Sequence, residues 1–259
     1  MTRHLAPALR LMLLLTLLLG VVYPVVLTGL CQWWFPWQAN GSLLDRNGQV
    51  VGSTLIGQVF TSPEYFHGRP SSAGAGYDGS ASGASNLGPT SAQLLGGEVE
   101  DGKVVFDGIR LRVLRYCLEN GIGFTSSQPL DRFRRGDGTL DAVQLIAAFR
   151  EPDAGDARRS RAEPRASQWH ALIITPAQPL PADAVTGSGS GLDPDISPAN
   201  ARLQAPRVAR ARGVAVAQIE RLIARYTQAP AFGLLGDARV NVLALNLALD
   251  RQAGPGASP

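Results

Sequence analysis

The stretch LMLLLTLLLGVVYPVVLTGL, Leu11 to Leu30, contains no charged residue, and the uncharged run continues to Leu44. About 20 consecutive apolar residues in a helix cross a bilayer's hydrocarbon core, so this stretch predicts a spanning helix and divides the chain. Pro24 lacks a backbone donor and predicts a kink there, which membrane helices tolerate when a neighbouring helix re-satisfies the freed carbonyl. Gly20 and Gly29 would let such a neighbour approach closely. CQWWFPW follows, placing Trp33, Trp34 and Trp37 where indole rings favour the water boundary, while Arg3 and Arg10 mark the other end as cytoplasmic. The expected plan is a cytoplasmic N-terminus over residues 1–10, a transmembrane helix with its aromatic interface over 11–37, and a body over 38–259 outside the cytoplasm. A cleaved leader has a shorter apolar core, and lipid attachment at Cys31 requires a small residue where Leu30 stands. Both alternatives yield to an uncleaved anchor.

A chain of 259 residues at 45% hydrophobic content supplies one folded domain besides the span. The net charge of +3 is spread over interspersed Arg and Asp/Glu without interleaved aromatics, which argues against a nucleic-acid partner. The two cysteines, Cys31 and Cys117, lie in an apolar segment and an amphipathic one, and both read as buried thiols. The three histidines, His4, His67 and His170, have no metal-ligand spacing, so no metal site is expected.

Beyond the span, apolar runs flank Asn47-Gly48, the dipeptide of a tight hairpin. SAQLLGG predicts a short helix, VEDGKVVF a turn and strand, and IRLRVLRYCLENG a helix with Leu111, Leu114 and Leu118 on one face and Gly121 as its stop. LDAVQLIAAF reads as another short helix, and the tail Arg150 to Arg165 as a charged, mobile loop. In DPDISPANARLQAPRVARARG, Ser197 is an N-cap with Pro198 behind it, and Pro206 should restart a second helix that Gly213 ends. Val216, Ile219, Leu222, Ile223 and Tyr226 form one helical face. RVNVLALNLALD alternates as a strand would. The body is therefore expected to be mixed α/β, without the βαβ alternation of a doubly wound nucleotide fold.

Candidate chemistry is sparse. TGSGSGLDP, Thr186 to Pro194, has glycines spaced for an amide nest that binds phosphate, but lacks the Lys of a Walker loop. A serine hydrolase built on Ser188 or Ser190 fails on register, because GSGSG places Gly189 where the nucleophile elbow needs Ser. Arg69 and Arg207 are expected to brace carbonyls or carboxylates, and Asn86 and Asn241 to cap turns.

Several blocks in order then carry a resemblance: the span ending YPVVLTGL, GSTLIGQVF, YFHGRPSS with YDGSASGASNLGPTS, SGSGLDPDISPANARLQAPRVARARG, and LGDARVNVLALNLALD. Together they resemble the C subunit of the Kdp potassium-transporting P-type ATPases. The resemblance implies an accessory, non-catalytic subunit of the bacterial inner membrane, with its main domain periplasmic. Its implied partners are a channel-like potassium-translocating subunit, a catalytic P-type subunit and a small single-span subunit. No firmly bound cofactor is implied, but a contribution to ATP affinity is, through Gln204 with Ser190 and Gly191 as phosphate-loop candidates. Tyr65, Phe66, Arg69 and Pro70, with Ser82, Gly83, Asn86 and Pro89, become an ordered motif for packing and docking. Glu98 to Gln168 is longer than the single helix expected there and reads as an insertion, peripheral to transport. The charge asymmetry places Gln204 away from cytoplasmic ATP, against a direct nucleotide contact. The rival class is a tethered periplasmic binding or hydrolytic domain acting alone.

Overall fold

The computed structural model describes residues 4–46, 48–149 and 172–252. Arg3, Asn47, the loop from Arg150 to Arg165, His170 and the C-terminal GPGASP fall outside them. The chain divides into two compact units, Met1–Leu55 and Ile56–Pro259.

The first unit opens with one continuous apolar helical run, Leu5–Trp34, of 30 residues. It comprises α1 (Leu5–Leu17), a π-helical turn (Leu18–Val22) and α2 (Tyr23–Trp34). The run thus begins six residues before the expected boundary and carries Arg10 in its first turns. The missing donor of Pro24 is absorbed by the wider π turn, where the Tyr23 N–H bonds to the Leu18 carbonyl. A short α3 (Pro36–Ala39) leads to a hairpin of β1 (Leu43–Arg46) and β2 (Gln49–Ser53), with Gly48 at φ 80° in its turn.

The second unit is mixed α/β, as expected, but its strands are short. α4 (Ala92–Gly96) is capped by Ser91 and precedes the hairpin β3 (Glu98–Glu100) and β4 (Lys103–Phe106). α5 (Ile109–Asn120) ends at Gly121 in the left-handed conformation, as its sequence predicts. Leu111 and Leu114 are buried, but Leu118 is exposed; Tyr116, Cys117 and Asn120 occupy the buried side instead. β5 (Phe124–Ser126) pairs with β6 (Ile174–Pro176) across α6 (Ala142–Phe149). Leu111, Leu114, Leu145, Ile146, Phe149 and Leu172 form a core for this region.

α7 (Ala182–Val185) and β7 (Asp195–Ile196) lead into α8, a single helix over Pro198–Arg212. Ser197 caps it and Gly213 ends it, but Pro206 restarts nothing. Pro206 lies on the exposed side, as does Arg202, so water can serve the carbonyl that proline leaves unbonded. α9 (Val216–Tyr226) follows, with Ile219, Leu222 and Ile223 buried. β8 (Thr227–Gln228) and β7 flank β9 (Arg239–Asn241) in an antiparallel three-stranded sheet. The expected C-terminal strand stops after Asn241, whose Oδ1 accepts the Ala244 N–H at 3.0 Å. That capping bond starts α10 (Val242–Gln252), which buries Val242, Leu245 and Leu249 at helical spacing. α8, α9, β9 and α10 enclose the largest core together with Phe66 and Ile196.

Candidate functional site

The segment Pro63 to His67 has no strand partner, so its backbone polar groups must be satisfied by side chains. Two carboxamides do this in the manner of a neighbouring strand. Asn246 of α10 accepts the Phe66 N–H at 2.9 Å and donates to the Phe66 carbonyl at 3.0 Å. Gln204 of α8 accepts the His67 N–H at 2.8 Å and donates to the His67 carbonyl at 3.0 Å. Arg207 donates to the carbonyls of Pro63 and Tyr65 at 2.8 and 2.9 Å, and Arg212 to that of Glu64 at 2.8 Å. Phe66 is thereby locked into the main core with no exposed surface. Tyr65 is held by its hydroxyl on Asp250 and by the Arg212 guanidinium over its ring.

These clamps belong to a buried polar chain. Asp183 accepts from Ser197 and from Asn200, whose Oδ1 accepts from Tyr116 at 2.7 Å and from Gln204 at 2.9 Å. Gln204 Oε1 also accepts from Arg207, whose Nε donates to Asn120 at 3.0 Å. Every polar atom of the Gln204 carboxamide is therefore bonded inside the domain, and Gln204 is 1% exposed. Burial lowers the Arg207 pKa, opposed by Glu119, whose own carboxyl is held below its ordinary range by the His67 imidazole 3.8 Å away.

The glycine-rich segment beyond His67 lies against the Gly187–Asp193 loop. Arg69 bonds Asp193 Oδ2 at 2.8 Å and the Gly187 carbonyl at 3.1 Å. Ser71 donates to the Gly191 carbonyl at 2.6 Å; the Gly83 N–H and the Ser82 hydroxyl reach the Ser190 carbonyl at 2.8 and 2.9 Å. Gly57 donates to the Leu192 carbonyl at 2.8 Å. The loop thus turns carbonyls, not amides, toward its neighbour, while its Gly191 and Leu192 N–H groups bond to Ser188 and to the Ser190 hydroxyl. Toward that segment the loop presents acceptors. Gly191 sits at φ 68°, and a Cβ there would stand 2.6 Å from the Gly83 carbonyl oxygen.

The expected site residues therefore separate. Ser190, Gly191, Ser82 and Gly83 meet one another, while Gln204 joins the Phe66 clamp and makes no hydrogen bond to Ser190 or Gly191 among the described residues. Pro70 approaches Gly187 through its carbonyl. Asn86, at φ 54°, and Pro89 are exposed. Arg69 and Arg207 brace carbonyls and a carboxylate as expected. Sequence reasoning missed Asn246 and Asn200; an Asn on the leucine-rich face of LNLALD is the one signal that marks the first. Cys117 is fully buried and its pKa is raised by that burial, which keeps the thiol protonated and inert.

The family model described as K+-transporting ATPase, c chain, matches residues 5–104 and 152–251, leaving α5, β5 and α6 outside the match. A potassium-transporting ATPase KdpC subunit of Mycobacterium tuberculosis (strain ATCC 25618 / H37Rv) is 45% identical over 251 residues, covering 97% of this chain and 100% of the relative. That of Caulobacter vibrioides (strain NA1000 / CB15N) is 46% identical over 259 residues, covering 100% of this chain and 98% of the relative. That of Gemmatimonas aurantiaca is 42% identical over 253 residues, covering 96% and 94%. With a match on both sides of the additional elements and full-length relatives at this identity, the chain belongs to the KdpC family, the c chain of K+-transporting ATPases.

Proposed function

We propose that this KdpC-family subunit acts without a catalytic centre of its own, holding together a potassium-uptake complex through one membrane span and an extracytoplasmic domain. Its partners on this reading are the channel-like subunit, the catalytic P-type subunit and a small single-span subunit. The observation that carries the reading is the inward use of Gln204 and Arg207. Gln204, which resemblance offers as a ligand contact, and Arg207 beside it are engaged on the chain's own backbone, as in a scaffold rather than a reaction centre. The turn carrying Phe232, Leu234 and Leu235, exposed by 93%, 87% and 63%, supports assembly as well, since apolar groups this exposed gain by burial against a partner. An effect on ATP affinity then arises through assembly, with no nucleotide held by Gln204.

Topology and mechanism are tested together. In a chain with Cys31→Ala and Cys117→Ala, a Ser190→Cys probe should react with a membrane-impermeant thiol reagent in intact spheroplasts. In assembled complex, Gln204→Ala should lower the amount of complex while leaving the ATP concentration for half-maximal rate nearly unchanged. Labelling only after permeabilisation, with a several-fold rise in that ATP concentration, would reverse the orientation and make Gln204 a nucleotide ligand.

A further inference from the structure

We infer that the cleft between the Ser71–Leu87 segment and the β4–α5 corner binds an organic phosphate, with Arg112 as its cationic anchor. The open cleft has a volume of about 480 Å³ and is walled by Ser72, Ser85, Leu87, Phe106, Asp107 and Arg112. Arg112 rises from the first turns of α5, with its guanidinium carbon 4.9 Å from the centroid of the Phe106 ring. The aromatic face fixes the plane of the guanidinium and leaves its donors directed elsewhere. Among the described residues those donors meet no hydrogen-bond or ion-pair partner.

The neighbouring charges do not supply one. Asp107 acts on Arg112 from a distance, but its carboxylate is bonded to Arg115 at 2.6 Å. Glu119 faces His67 at 3.8 Å, and Arg69 is paired with Asp193. Burial lowers the Arg112 pKa, the sign of a cation removed from water without a bonded counter-ion. A second cleft of about 520 Å³ shares Arg112 and adds Arg69, whose Nε is buried without a hydrogen-bond partner.

The remaining donors suit an oxyanion. Ser71 is saturated by the Ala73 and Tyr77 N–H groups and the Gly191 carbonyl, but the hydroxyls of Ser72 and Ser85 are uncommitted among the described residues. A planar guanidinium and two hydroxyls lining one cleft match tetrahedral phosphate chemistry. The space exceeds that of a bare phosphate, and Ala84, Leu87 and Val105 offer an apolar wall to an ester's carbon skeleton. Phe106 and Arg112 lie in residues 105–151, which the family model does not match.

Glycerol 3-phosphate and inorganic phosphate are titrated calorimetrically into the full chain in detergent. In parallel, the full chain is placed in nanodiscs of mixed phosphatidylglycerol and phosphatidylcholine, and retained lipid is counted by native mass spectrometry. Saturable binding of glycerol 3-phosphate, at least tenfold weaker in Arg112→Gln and intermediate in Arg112→Lys, is expected if the ligand is a free ester. Preferential retention of phosphatidylglycerol, lost in Arg112→Gln, is expected if it is a headgroup. Absence of both, or equal binding by wild type and Arg112→Gln, overturns the assignment. If Arg112→Gln fails to fold, the double variant Ser72→Ala/Ser85→Ala decides: several-fold weaker binding sustains the site and unchanged binding removes it.

Discussion

Tyr77 shows how much one side chain organises in a segment whose composition suggests a linker. Its backbone is left-handed at φ 56°, its amide donates to the Ser71 hydroxyl at 2.8 Å, and its own hydroxyl donates to the Arg69 carbonyl at 2.7 Å. The ring fills space that side chains at Gly57 and Gly68 would need; a Cβ on Gly68 would stand 2.3 Å from the phenol oxygen. Burial first, and the Asp193 carboxylate second, push the Tyr77 pKa up to about 12 from 10.0. The fold therefore favours the neutral phenol. This stabilisation is whole below the unfolded pKa and is lost as pH rises from 10 through about 12, a loss of about 3 kcal/mol at most. Tyr116 is shifted in the same direction, so Tyr77→Phe should flatten the alkaline fall without abolishing it, while costing about 1 kcal/mol at neutral pH for the bond to Arg69. Urea unfolding at successive pH values checks this, and parallel wild-type and variant curves would contradict it. The aromatics among the glycines made the order of this segment legible. That two glycines are vacancies for one ring was not, because such a contact joins residues with no local pattern.

Among the elements, the Gly187–Asp193 loop and the segment it receives stand or fall on Gly191. Left-handed backbone disfavours any residue with a Cβ by about 1–2 kcal/mol, and here the Cβ would also meet the Gly83 carbonyl at 2.6 Å and the Ala73 nitrogen at 2.8 Å. Gly191→Ala should cost at least ~2 kcal/mol and open the Ser71–Ser91 segment to limited proteolysis while α8 to α10 remain protected. Equal protease resistance in the two proteins would show that the loop yields instead. Helix ends were the most legible part of the chain. Ser197, Gly121 and Gly213 cap as their residue types predict. The C-terminal element was misread because Val240 and Val242, then Leu245, Leu247 and Leu249, each alternate as a strand would, although the three-residue step from Val242 to Leu245 breaks that period. Asn241 decides the matter through its cap on Ala244, a residue expected to cap but placed within a strand. Pro206 misled in the opposite sense, since its exposed position makes a helix interior tolerable.

Across the whole molecule, the additional elements are partly built into the body they interrupt. The expected insertion, Glu98 to Gln168, was read as peripheral to transport, and its tail lies outside the described residues. α5 is nonetheless packed into that body: Tyr116 bonds Asn200, and Asn120 receives the Nε of buried Arg207 at 3.0 Å. Asn120→Leu should therefore cost about 2–3 kcal/mol, the order of a lost hydrogen bond to a charged group, whereas excision of Asp153 to Pro164 should leave the thermal midpoint nearly unchanged. Thermal unfolding of the two variants separates these outcomes, and a larger loss from the excision would invert the assignment. Periodicity revealed α5 as a helix, but nothing local announced that Asn120 serves Arg207, 87 residues away. The same remoteness governs how the chain is made. The Phe66 clamp is closed by Asn246, 180 residues later, and by Gln204, 137 residues beyond His67. During synthesis the segment around Phe66 leaves the ribosome long before either carboxamide exists, and only the last helix completes its lock. Closure of the Phe66 clamp thus waits for α10, and a chain cut short before α10 leaves an unlatched aromatic segment for proteases to find.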